Sequence, residues 1–182
     1  MGLMIHSLGE LPLEAQRGYY IYLLDYGWEE PLRDEINRNF IRMAGLASRN
    51  NAIVMRGTVG DHFSDEVLSW HQVNGQPGDG LLPAIMITTC HPTNFREGNQ
   101  DRLLLIPLRK ICKSSEDLVN LIEKIFKDIE DKKALSDFEV ASEMKKGKAG
   151  AVVDALILEP NFAGIGINLN YIIDFFSGRK RN

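Results

Sequence analysis

The chain has 182 residues, 44% of them hydrophobic and 25% charged, with a formal net charge of −4. This composition fits a soluble globular protein with one domain and an extension, and it excludes a broadly basic nucleic-acid surface. No apolar stretch is long enough for a membrane span. The first residues carry Glu10, Pro12 and Glu14 but no cationic leader, so neither a membrane partner nor a secretory signal is expected and a cytoplasmic location is.

Residues 1–18 alternate weakly between apolar and polar and read as a lead-in, with a short edge strand near Leu3 to Ile5. Tyr19 to Leu24 is aromatic and branched throughout, the composition of a mostly buried strand. After Trp28-Glu29-Glu30, Pro31 suits a first helical turn. Leu32, Ile36, Phe40, Met43, Ala44 and Ala47 then recur at steps of three and four, the apolar face of a helix ending near Ser48 to Asn51. Ala52 to Gly57 reads as a second strand, parallel to the first because a helix joins them.

Gly57, Gly60 and Asp61 make a turn, and Phe63, Val67, Leu68 and Trp70 line one side of a short second helix. Asn74 to Gly80 is the strongest loop signal in the chain. Leu81 to Thr89 is an apolar run of strand length containing Pro83, which lacks an N–H and so belongs at the strand's first residue or on an edge. A polar loop, Thr93 to Asp101, leads into Arg102 to Leu108. That loop is too short for a crossover helix, so these two strands should pair antiparallel, with the later one near an edge because of Pro107.

Ser114 to Asp117 is a capping region. Leu118, Leu121, Ile122, Ile125, Phe126 and Ile129 follow as the apolar stripe of the cleanest amphipathic helix in the chain. Asp131 to Gly147 is a polar junction with a short helix around Ser136 to Lys145. The tail, residues 150–176, holds the apolar runs Ala151–Leu158 and Tyr171–Phe176. So much apolar surface must return to the core, add a hairpin or bind another chain.

From Tyr19 to about Glu130 the order is strand, helix, strand, helix, proline-led strand, strand, helix. This α/β order resembles the thioredoxin-like fold. The resemblance implies a central mixed sheet flanked by helices over residues 19–133, with Leu82–Pro83 as a cis peptide facing the start of the first helix. It leaves 134–182 as a C-terminal extension that packs on the domain or on a partner. The family's active-site stretch is similar to Trp-Cys-Gly-Pro-Cys. Here the matching residues are Trp28-Glu29-Glu30-Pro31-Leu32, in which Trp28 and Pro31 agree while Glu29 and Leu32 replace the cysteines. A carboxylate and an alkyl group cannot exchange disulfides.

The expectation is therefore a redox-inactive protein-interaction domain or accessory subunit of a larger assembly, with no cofactor and no metal. Its partner-binding groove comprises Trp28, Glu29, Glu30, Pro31 and Pro83, and its partner is a protein or a second copy held through that groove or the 150–176 tail. The alternative is a cysteine-dependent thiol transferase or small hydrolase using Cys90 with His91 or His62 as base. Adjacent strand residues point to opposite faces, so Cys90 and His91 need not interact, and a partly buried structural thiol is the commoner case. Glu29 and Glu30 could supply a carboxylate for acid/base chemistry or for a metal, but favourable charge at a helix start explains them better. Asp25, at a strand's carboxyl end, is better placed for a ligand, but no sequence motif accompanies it. His6 and His71 stand in no pattern. Gly57-Thr58-Val59-Gly60 and Gly147-Lys148-Ala149-Gly150 lack the spacing of a phosphate-binding loop. Cys90 and Cys112 read as free thiols, with no zinc-like spacing around them.

Overall fold

A computed structural model describes residues 1–25, 31–71, 73–74, 82–94, 103–145, 156–158 and 167–168. In chain order the elements are β1 (Gly2–Ile5), β2 (Tyr19–Leu24), α1 (Pro31–Arg49), β3 (Ala52–Gly57), α2 (Gly60–Trp70), β4 (Val73–Asn74) and β5 (Ala84–Thr88). They continue with β6 (Leu103–Pro107), α3 (Leu108–Ile111), α4 (Ser115–Glu130), α5 (Glu139–Lys145), β7 (Leu156–Leu158) and β8 (Ile167–Asn168). Among the described residues the main sheet runs β1-β3-β2-β5-β6-β7, and β4 pairs separately with β8.

The sheet is mixed. β3 lies parallel to both β1 and β2, whereas β5 is antiparallel to β2 and to β6, as the short loop between β5 and β6 requires. All six residues of β2 are buried, so both faces of the central strand are covered. On one face Tyr19, Ile21 and Leu23 line up with Ala52, Val54 and Arg56, and α1 packs there, with the Arg56 guanidinium over the Phe40 ring. Tyr19 meets Phe138 of the C-terminal junction on that face. On the other face Tyr20, Tyr22 and Leu24 align with Ile53 and Met55 of β3, and Phe63 of α2 lies against Tyr22.

The helices form where their apolar spacing demands. Ile36, Phe40, Met43 and Ala47 of α1 are buried, as are all six apolar stripe residues of α4. Two residues beyond the end of α1, Asn51 has a φ of 50°, a left-handed conformation that asparagine tolerates better than most non-glycine residues. α4 opens on a reciprocal capping box between Ser114 and Asp117. Backbone and side-chain hydrogen bonds from Lys113 and Ser114 hold the Asp117 carboxyl below its ordinary range.

The structure departs from the sequence reading in three places. Trp70 is 38% exposed, because it ends α2 while the next residue, His71, takes the buried position against Tyr22. The lead-in does more than precede the sheet. β1 is the edge strand expected near Leu3 to Ile5, begun one residue earlier, but Ile5, Leu8 and Leu11 also join the core. The β6 edge is covered along Leu103–Leu105 by β7, which leaves Pro107 beyond the paired stretch, where a missing N–H costs nothing. Within the tail, β7 and β8 both return to the chain's own strands. The rest of the 150–176 segment lies outside the described residues.

Candidate functional site

Leu24 of β2 pairs with Ala84 of β5, so Pro83 stands at the carboxyl end of β2, beside Asp25. The Leu82–Pro83 peptide bond is cis. Pro83 lies one residue before the strand, and its carbonyl accepts from the Leu108 N–H at 2.9 Å. α1 begins at the same end, with Pro31 as its first residue. The two elements the sequence singled out, the proline-led strand and the helix entrance, therefore share one end of the sheet. Pro83 is itself buried, so a partner here would meet the residues around it more than its ring. Trp28, Glu29 and Glu30 lie outside the described residues.

Three further side chains gather at this end. The Asp25 N–H donates to the Ser64 hydroxyl at 3.0 Å, and that hydroxyl donates back to the Asp25 carbonyl at 2.7 Å. This reciprocal pair ties the end of β2 to α2. Arg33, in the first turn of α1, directs its Nε to 3.8 Å from the Asp25 carboxylate. That distance makes an ion pair but not a hydrogen bond. The Arg33 Nε is covered from solvent and has no hydrogen-bond partner. Sequence reasoning noticed Asp25 but missed Arg33 and Ser64, since nothing local marks either as reaching it.

The alternative constellation does not assemble. β5 is antiparallel to β2, so Cys90 and His91 emerge past Thr88, opposite Tyr20 at the amino end of β2. That is the far end of the strand from Pro83, about 17 Å away for a strand of five residues. His62 sits in the first turn of α2, after the carboxyl end of β3, and is exposed. His62 and Cys90 thus belong to opposite ends of the sheet. The Cys90 thiol donates to the main-chain carbonyl of His91 at 3.4 Å rather than to its ring.

The His91 ring is otherwise engaged. The Thr93 N–H donates to its Nδ1 at 3.3 Å, so Nε2 carries the proton and donates to the Pro12 carbonyl, also at 3.3 Å. With its edge against Tyr20, this imidazole fastens the segment before β2 to the end of β5. Cys112 is buried, and desolvation with the nearby Asp117 charge pushes its thiol up to about 12. Both thiols are buried, whereas a nucleophilic cysteine must be accessible to its substrate.

A second buried histidine was not marked by any motif. His71 is fully buried at the end of α2, where its Nδ1–H donates to the Val67 carbonyl at 2.8 Å and its Nε2 lies 3.4 Å from the Tyr22 hydroxyl. Burial lowers its pKa to about 4, so the ring is neutral at ordinary pH. Among the described residues there is no cluster of His, Cys, Asp and Glu able to hold a metal ion. No described helix is long and apolar enough to cross a membrane. Comparison with known protein families, with curated proteins and with solved structures gives no match.

Proposed function

We propose that the chain is a redox-inactive, thioredoxin-like protein-interaction domain, used as an accessory subunit, whose former redox site has become a binding groove. One observation carries this reading: a proline heads β5 beside the carboxyl end of β2, where α1 begins, within a sheet whose central order is β3-β2-β5-β6. In the sequence Glu29 and Leu32 stand in place of the two cysteines, and α1, which contains Leu32, begins at the same end of the sheet as Pro83. The remaining thiols offer no substitute, since both are buried and Cys90 lies at the opposite end of the sheet. An extended segment laid along the groove would gain backbone hydrogen bonds, with Trp28 as its apolar anchor.

The test uses Trp28 as its own reporter. In a Trp70→Phe background, which leaves Trp28 the sole tryptophan, pools of short extended peptides are titrated while emission is followed. The reading expects a saturable spectral shift that Trp28→Ala abolishes in a parallel anisotropy measurement with labelled peptide. Binding that survives Trp28→Ala and Pro31→Ala unchanged would place the contact elsewhere and overturn the groove.

A further inference from the structure

Among the described residues, β1 has a strand on one side only. The Val54 N–H donates to the Met1 carbonyl at 2.8 Å and the Thr58 N–H to the Ile5 carbonyl at 3.0 Å, so residues 1, 3 and 5 turn their main chain toward β3. Main-chain groups alternate in direction along a strand. Those of Gly2 and Met4 therefore point away from β3, to the side where no described strand lies. Open edges are usually guarded by a lysine, a proline or a bulge. Gly2-Leu3-Met4-Ile5 pairs in regular register and carries none of these, and Met4 is 56% exposed.

The flank of α1 beside this edge is uncharged as well. α1 lies so close over β1 that a Cβ at Gly2 would run into Ala44. On the helix's opposite flank, Glu35 and Arg42 reach Ser115 and Glu123 of α4. Asn37, Ile41, Ala44 and Ser48 recur at steps of four, three and four on the side away from α4, and none is charged. Ile41 is 77% exposed, the most exposed large apolar side chain among the described residues.

We propose that two copies of the chain join through β1, antiparallel about a two-fold axis at Leu3, into one continuous sheet. The surface complements itself. Gly2 faces Met4 of the second copy, and each of the two such pairs exchanges both of its main-chain hydrogen bonds. Leu3 faces its own copy at the closer, non-hydrogen-bonded position. Met4 rises beside a glycine, against the other copy's α1 flank. Because α1 runs against the strands, Ile41, three residues before Ala44, comes level with Leu3 and meets its own copy. The two α1 helices then lie about 10 Å apart, an ordinary packing distance. A surface that meets itself must keep like charges off its axis, and the residues nearest this one, Leu3 and Ile41, carry none. A four-residue edge with one helix flank covers less than the roughly 800 Å² per partner of a stable interface, so the dimer is reversible, with a dissociation constant of roughly 10–100 μM. The contact uses neither Pro83 nor the start of α1, so its fate is separate from that of the groove.

Sedimentation equilibrium of the intact native chain between about 5 and 500 μM should show its mass rising toward twice that of the monomer. Met4→Lys puts a guarding lysine on the edge, and it and Ile41→Lys should each weaken the dimer by roughly tenfold or more. An equimolar mixture of Ile41→Lys and Ile41→Glu should dimerise again, because the axis sets the two side chains against each other. Amide exchange reads the register: protection of the Gly2 and Met4 N–H groups should grow with concentration, while that of Leu3 and Ile5, which face β3, stays constant. A native chain that remains monomeric across this range would overturn the proposal. So would a dimer indifferent to both lysine substitutions, or one that leaves the Gly2 and Met4 amides unprotected, since either result places the contact elsewhere. Both substituted positions are exposed, and circular dichroism checks that the variants fold.

Discussion

Asp128→Ala should loosen the attachment of α5 to the sheet domain. Asp128 is 1% exposed, on the buried side of α4 near its end. One carboxylate oxygen takes the Lys133 ammonium at 2.6 Å and the other takes the Glu139 backbone N–H, also at 2.6 Å. The Lys133 carbonyl in turn accepts from the Tyr19 hydroxyl of β2 at 2.8 Å. One side chain therefore ties together the end of α4, the turn after it and the start of α5. Removing it orphans the Glu139 N–H, a cost of about 1–3 kcal/mol when the group is kept from water. Lys133 is 37% exposed and can return to solvent, so its lost pairing adds only about 0–1 kcal/mol. The sum is about 1–4 kcal/mol, which moves a urea midpoint by about 0.5–2 M at an m-value of about 2 kcal/mol/M. The control is Asp131→Ala. Asp131 is 51% exposed and 3.9 Å from the same ammonium, so its loss should stay within about 0.5 kcal/mol. Equal midpoints for Asp128→Ala and Asp131→Ala would refute the reasoning. Amide exchange adds a local check, since the Glu139 N–H should lose protection before the β2 amides do.

Three other outcomes rest on the same structure. His71 has a folded pKa of about 4 against an unfolded value near 6.5. The unfolded chain therefore binds more protons between those limits, and stability should be full above about pH 6.5 and fall as pH drops toward 4, by about 3 kcal/mol at most. His71→Gln should flatten that slope in pH-dependent urea titrations, and an unchanged slope would mean the titrating group lies elsewhere. Both cysteines should resist iodoacetamide in the folded chain at pH 8 and label promptly in denaturant; fast labelling of Cys90 at neutral pH would restore the cysteine-enzyme alternative. A Cβ at Gly57 would run into the Phe63 side chain, so Gly57→Ala should cost about 1–3 kcal/mol by overpacking, and thermal unfolding at the native midpoint would contradict it.

Much of the scaffold was legible because its periodicities are strong. The six apolar positions of α4 recur at helical spacing and all six are buried, and the capping region at Ser114–Asp117 is where the helix begins. The parallel pairing of β2 with β3 and the antiparallel pairing of β5 with β6 followed from the lengths of their connections. The edge strand near Leu3 to Ile5 was also expected, but its parallel partner β3 was not, since four residues with one exposed methionine carry little pattern that names a neighbour. The candidate site was half legible. Pro83 and Pro31 announce themselves as prolines at element starts, whereas Arg33, Ser64 and Asp25 meet only through the packing of α1 and α2 on the end of β2. His71 and Asp128 were invisible for the same reason: a buried polar residue looks in sequence like any surface one, and only its partners in space identify it.

The central claim, that residues 28–32 and Pro83 form a thioredoxin-like site emptied of its sulfur, is tested most directly by putting the sulfur back. In the double variant Glu29→Cys/Leu32→Cys, the account predicts a reversible intramolecular disulfide between the two new cysteines and catalysis of insulin reduction by dithiothreitol, with the native chain inactive. A double variant that folds, yet neither joins positions 29 and 32 nor reduces insulin above the native background, would contradict it.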